Sequence, residues 1–287
     1  MNSNGWHWQN GYLTCDLLAP WAHGFFSKVH APSMPIELQQ HFYTPQNTPL
    51  NSDRDSQTKQ TNQPLDGIAY RAKQVHGDRL LDNQELDQLA IGQVNSTLPE
   101  ADGVFIQVAL SQPEAENSNL AKKETKQSVW VCTADCVPVL IADRNLGHVA
   151  AVHAGWRGTA AGILTKAIAK FLNHGSQLED LRIALGPAIS GEVYQVTETV
   201  AAQVIATIST EVGIFPDQEP ERCRLDLRAV QQQQLSEMGI AKPQMAIAPY
   251  CTLQTPDRFY SYRRYTKENP DHKGGAPRVQ WSGIAIN

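Results

Sequence analysis

The sequence predicts one α/β domain, and three observations carry that expectation. Short apolar runs rich in β-branched residues alternate with longer runs of helical periodicity. The polar breaks between them carry turn-forming residues at short intervals. The 287 residues, 41 % hydrophobic and 18 % charged, suffice to bury a core without staples, and β and α mix throughout with no second core in view.

Taken in order, Thr44 to Pro64 and Ser111 to Gln127 are poor in apolar residues and read as solvated insertions in a single domain of residues 1–287. Val129-Trp-Val-Cys-Thr133, Val137-Pro-Val-Leu-Ile-Ala142 and His148-Val-Ala-Ala-Val-His153 are apolar and β-branched, which predicts buried central strands. Asp143-Arg-Asn-Leu-Gly147 supplies the turn between the last two. Thr159 to Leu172 sets Ile163, Leu164, Ala167, Ile168 and Phe171 at helical spacing, with Asn173-His-Gly175 as the stop. Leu181 to Leu185 and Met245 to Ala248 add strands; Glu198 to Ile208 and Leu227 to Met238 add helices.

Composition narrows the function. A net charge of −5 gives no general attraction to nucleic acid or anionic lipid. No apolar stretch approaches the roughly 20 residues of a membrane span, and the start lacks the regions of a signal peptide, so a cytoplasmic protein is expected. Five cysteines, with no Cys-x-x-Cys pair, argue against a disulfide framework. A special cysteine is then catalytic or a ligand.

The chemistry-bearing residues concentrate where apolar strands break into small residues, in Thr133-Ala-Asp-Cys-Val-Pro138 and His153-Ala-Gly-Trp-Arg-Gly158. Strand ends hold side chains rigidly, and a following glycine leaves room for a ligand. Cys136 and His153 lie 17 residues apart with one strand and one turn between them, so a hairpin returns the histidine beside the thiol. A third candidate is His76 in Lys73-Gln-Val-His-Gly77. Two histidines and one cysteine suit a tetrahedral zinc with its fourth position open. Against this stands the plain reading that a strand-end histidine is a satisfied polar residue and a small buried cysteine is inert. His148, five residues before His153, falls on the opposite face of a regular strand. Cys132 reads as core packing rather than a fourth ligand. Asp102 and Asp135 fit a general acid or base, an orienter of a histidine, or a turn residue. Arg263 and Arg264 fit anion binding or surface pairing.

These motifs, with His23-Gly-Phe-Phe-Ser27, Ala101-Asp-Gly103, Leu185-Gly-Pro-Ala-Ile189, Asp226-Leu-Arg228, Cys251-Thr252 and Phe259-Tyr-Ser-Tyr-Arg-Arg264, resemble the YfiH-type family. Its members are also described as laccase-domain or multicopper polyphenol oxidase proteins and as purine nucleoside phosphorylases. The resemblance implies a layered α/β/β/α sandwich with mixed sheets, and a zinc held by His76, Cys136 and His153. It implies phosphorolysis of adenosine, inosine, guanosine and methylthioadenosine, with adenosine deamination as a second activity. Catalytic roles then fall to His76, Cys136, His153, Asp102 and Asp135, and substrate binding to Lys28, Gln74, Arg157 and Arg263. Nucleosides and phosphate are the expected partners, and a monomer the expected state.

The chain departs from the family pattern in places. Lys28 stands where the family has an arginine, keeping the charge but losing the planar fork. Ala188-Ile-Ser190 and Pro277-Arg-Val279 replace a cysteine-rich step and a Gly-Arg-Met step. Competing readings are a zinc or thiol hydrolase acting on peptidoglycan precursors, with Cys136 as nucleophile in the thiol case, and a non-enzymatic binding module. A polyphenol oxidase is disfavoured because its copper centres need His-x-His pairs and the chain has none.

Overall fold

The structure is a computed structural model that describes residues 5–43, 67–91, 98–108, 126–271 and 278–286. The insertions expected over Thr44 to Pro64 and Ser111 to Gln127 fall outside these residues, apart from Lys126 and Gln127.

The chain opens with strands β1 (Trp6–Gln9), β2 (Tyr12–Cys15) and β3 (His23–Phe26), then two single-turn helices, α1 (Pro35–Leu38) and α2 (Gln40–Tyr43). Next come β4 (Ile68–Tyr70), β5 (Leu80–Asp82), α3 (Asn83–Ile91) and β6 (Gly103–Ile106). The central run is β7 (Gln127–Thr133), β8 (Val137–Asp143), β9 (Val149–Ala154), α4 (Trp156–Ala160), α5 (Ile163–Asn173) and β10 (Leu181–Leu185). Then follow β11 (Gln195–Thr197), α6 (Glu198–Ile205), β12 (Ile214–Pro216), β13 (Arg222–Leu225) and α7 (Leu227–Glu237). The described chain finishes with β14 (Met245–Ile247), α8 (Tyr262–Glu268) and β15 (Gln280–Ala285).

Two mixed six-stranded sheets form, in the orders β1-β2-β3-β15-β7-β4 and β14-β10-β8-β9-β6-β5, beside a small sheet β11-β13-β12. The alternation of side chains along a strand explains how they stack. On β8, Leu140 and Ala142 turn to the space between the two sheets, whereas Val137, Val139 and Ile141 meet the helices. Both faces of the strand are covered, which is why its sequence is a continuous apolar run. Ile163, Leu164, Ala167, Ile168 and Phe171 of α5 close the helical layer and are fully buried. Burial of each large side chain among them contributes roughly 1.5–3 kcal/mol. On the far face of the first sheet, Leu38 and Phe42 pack on Phe26 and Trp130. The result is a helix, sheet, sheet, helix sandwich.

The single helix expected over Thr159 to Leu172 is two helices, because Gly162 takes φ +73 and turns the chain between α4 and α5. Among the described residues no helix is long and apolar enough to cross a membrane.

Candidate metal centre

The link between β7 and β8 crosses from the first sheet to the second, and Cys136 sits on that crossing. β8 and β9 pair antiparallel with Pro138 opposite His153 and Val137 opposite Ala154, so the hairpin delivers the histidine to the thiol. Asp143 makes its turn by accepting the N–H groups of Asn145 and Leu146. β6 lies on the other side of β9, which brings Asp102 alongside His153; the His153 N–H donates to the Asp102 carbonyl at 2.7 Å.

Asp102 is fully buried, and its carboxylate organises the site. Oδ1 accepts His153 Nδ1–H at 2.8 Å and the His76 N–H at 2.9 Å. Oδ2 accepts the N–H groups of Gly77 at 2.7 Å and Val75 at 3.2 Å. All four lone-pair positions are thereby used. Burial alone would raise this carboxyl, yet the bonds from His153 and Gly77 outweigh it and hold it below the ordinary range. The three N–H groups also fix the bend at His76, whose φ of +61 is rare outside glycine.

His76, Cys136 and His153 are the one cluster of metal-capable side chains among the described residues, their ligand atoms all within 4.8 Å of one another. Bonds of about 2.0–2.3 Å to a shared zinc would draw them somewhat closer. The two imidazoles stand nearly perpendicular, at 85°, with centroids 4.8 Å apart. Burial raises a thiol, but hydrogen bonds and charge from His153 and His76 outweigh it and bring Cys136 down to about 7. Burial lowers an imidazole, yet Asp102 and Cys136 bring His153 up to about 9. Gly155 completes the cradle: a Cβ there would stand 2.8 Å from Cys136 Sγ. A thiolate, two imidazoles, a carboxylate behind one of them and space beside the sulfur fit a zinc ion.

The other predicted residues divide. Asp135, at φ +89, accepts Thr252 Oγ1–H at 2.6 Å, Ser261 Oγ–H at 2.9 Å and the Arg263 N–H at 2.7 Å, tying the start of α8 to the residue before Cys136. Gln74 pairs its side-chain amide with both the C=O and the N–H of Cys132, at 2.7 and 2.8 Å, and so docks the His76 loop on β7. Arg157 lies over the Trp156 ring at 4.3 Å and Arg263 over the Tyr194 ring at 5.3 Å. Lys28 is half-buried and donates its amine to the Pro256 carbonyl at 2.6 Å. Arg264 is spent on the carbonyls of Thr252, Leu253 and Phe259. Cys132, half-buried on β7, is pushed up to about 11, first by burial. His148 lies at the opposite end of β9, bonded to the Val108 N–H and the His174 carbonyl.

Sequence reasoning missed Tyr194, which no local motif marks, and the pairing of Thr252 and Ser261 with Asp135, though both hydroxyls stand in quoted motifs.

Comparison with known proteins gives the context. A family model described as multi-copper polyphenol oxidoreductase laccase matches residues 46–274. A purine nucleoside phosphorylase of Synechocystis sp. is 43 % identical over 99 % of this chain and 98 % of its own length. One of Mycobacterium bovis is 34 % identical over 67 % of this chain and 65 % of its own. Among solved structures, YlmD from Geobacillus stearothermophilus superposes with a TM-score of 0.73 at 20 % identity, covering 99 % of both chains. The Bacillus licheniformis hypothetical protein YfiH gives 0.72 at 21 %, over 99 % of this chain and 100 % of its own. These two show a shared fold.

Proposed function

The chain belongs to the laccase-like, YfiH-type family that this model describes, and from that premise we propose that it is a zinc-dependent purine nucleoside phosphorylase. The full-length 43 % identity to the Synechocystis enzyme carries the reading. The substrates are adenosine, inosine, guanosine and methylthioadenosine, with deamination of adenosine as a side activity. In phosphorolysis the bond from the anomeric carbon to the purine nitrogen breaks and a bond to a phosphate oxygen forms. In deamination water displaces ammonia from the base.

His76, Cys136 and His153 would hold the zinc, which supplies Lewis acidity. Asp102 keeps the proton on His153 Nδ1, leaving the other ring nitrogen free to ligate. Arg157 and Arg263 hold phosphate oxygens in place, with Lys28 as the further cation of the reading. Asp102 and Asp135 position other groups, since their oxygens are already engaged.

One observation favours a second reading. Cys136, His153 and Asp102 also form a thiol, imidazole and carboxylate array of the kind that serves a hydrolase, which fits an enzyme acting on peptidoglycan precursors. His76 has no task in such an array, and for that reason the metal reading ranks first. A polyphenol oxidase lacks ligands, since no two histidines are spaced His-x-His.

The test is to incubate the zinc-analysed protein with adenosine and inosine at varied phosphate. Phosphate-dependent release of adenine or hypoxanthine is expected, with inosine formed from adenosine without phosphate. No base release at any phosphate concentration sinks the phosphorylase.

A further inference from the structure

Two arginine-on-aromatic pairs flank the metal centre, and one of them contains a side chain so far without a role. Tyr194 is held by its backbone, its N–H donating to the Ser190 carbonyl and its carbonyl accepting from the Leu225 N–H, both at 3.0 Å. The Arg263 guanidinium lies 5.3 Å above its ring and donates to the Gln195 carbonyl at 2.9 Å. The Arg263 backbone N–H in turn bonds Asp135, the neighbour of Cys136. This chain of contacts fixes Tyr194 relative to the metal loop. Among the described residues neither Arg157 nor Arg263 is ion-paired with a carboxylate. Among the described residues the Tyr194 hydroxyl has no hydrogen-bond partner, and it is not one of the sealed polar atoms, so it keeps some access to solvent. Two unneutralised, ring-stacked cations and one unspent neutral donor suit a small oxyanion.

We propose that Tyr194 is a further substrate-binding residue of this site, its hydroxyl donating a hydrogen bond to the phosphate that Arg157 and Arg263 attract. The proposal rests on the phosphorylase reading for the identity of the anion. Burial and then the Cys136 thiolate raise the phenol, against the lowering effect of Arg263 and Arg157, so it stays protonated and donates at every physiological pH. A phenylalanine would keep the ring under Arg263 and remove only the donor.

The experiment is calorimetric titration of zinc-loaded protein with inorganic phosphate alone, for the wild type and Tyr194→Phe, followed by steady-state kinetics with inosine. Losing one hydrogen bond to a charged ligand should weaken phosphate binding roughly tenfold or more and raise the KM for phosphate by a similar factor. The KM for inosine, the zinc content and the melting temperature should hold. Unchanged phosphate affinity in Tyr194→Phe, or no phosphate binding by the wild type, overturns the assignment. Tyr194-dependent phosphate binding by a protein that cleaves no nucleoside would support this site and refute the phosphorylase. Nucleoside cleavage with phosphate affinity indifferent to Tyr194→Phe would do the reverse.

Discussion

The Asp102 carboxylate accepts His153 Nδ1–H at 2.8 Å, and that bond decides which imidazole nitrogen is left for the metal. The same oxygen takes the backbone N–H of His76 at 2.9 Å. One buried carboxylate therefore sets the tautomer of one ligand and the backbone bend that presents the other.

Replacing this carboxylate by its amide, Asp102→Asn, turns one acceptor into a donor. Whichever way the amide points, its NH₂ meets N–H donors: those of Val75 and Gly77, or those of His76 and His153. Zinc affinity should fall 10–100-fold in competition with a chelator, and the protein should lose about 1–3 kcal/mol in denaturant titration. The sign with pH follows from the depressed carboxyl. Its contribution is present above the unfolded value, roughly pH 4, and is lost as pH falls through the lower folded value. Metal-free Asp102→Asn should lack that acid limb; an unchanged limb would contradict the assignment.

Gly155→Ala tests the cradle from the other side. Gly155 has φ −74 and ψ 177, which alanine adopts freely, so backbone strain contributes nothing. The added Cβ would meet Cys136 Sγ at 2.8 Å. Pushing the sulfur away should lower zinc affinity on the order of tenfold or more, and the metal-free protein should lose about 1–3 kcal/mol through the overpacked contact. Full zinc retention would mean that the loop relaxes without consequence.

Much of this was legible in the sequence, for a physical reason that also marks the limit. β8 and β9 read as buried strands because both faces are covered and the residues are apolar throughout. The hairpin then followed from chain connectivity, with Cys136 and His153 at its ends. Of the first sheet only β7 was read as a strand: β1, β2 and β3 are four residues each, and they and the longer β15 mix aromatic residues with polar ones and glycine in place of clean alternation. Their pairing rests on partners far along the chain, as where β15 bridges β3 and β7. His76 could not be joined to the other two by spacing, since a carboxylate 26 residues away holds it. Tyr194 stayed invisible because its role lies in the placement of Arg263, 69 residues later in sequence.

Asp135→Asn separates positioning from metal binding. Asparagine tolerates a positive φ as aspartate does, and the Thr252 and Ser261 hydroxyls can rotate to suit an amide. The bond from the Arg263 N–H loses its charged acceptor. The start of α8 should loosen, raising the KM for phosphate several-fold, on the scale of about 1 kcal/mol for one such bond. Zinc content should stay at the wild-type level. Loss of zinc would place Asp135 closer to the metal than its three hydrogen bonds indicate.

Chelation should expose a reactivity that the bound metal masks. In the metal-free protein the histidines bring Cys136 down to about 7, whereas burial pushes Cys132 and Cys15 up to about 11. The thiolate is the nucleophile, so iodoacetamide should modify Cys136 with an apparent midpoint near pH 7, below that of an ordinary thiol at about 8.5. The reaction slows as pH falls through that value because the thiolate is protonated. Cys132 and Cys15 should remain unmodified at pH 8. Adding zinc before the reagent should protect Cys136, since a ligating thiolate is no longer free to attack. Cys136→Ala should lose both zinc and activity, while Cys132→Ala should keep its zinc and show only a change in stability. Modification of Cys132 ahead of Cys136, followed by mass spectrometry of the peptides, would show that the thiol favoured by His76 and His153 has been misidentified.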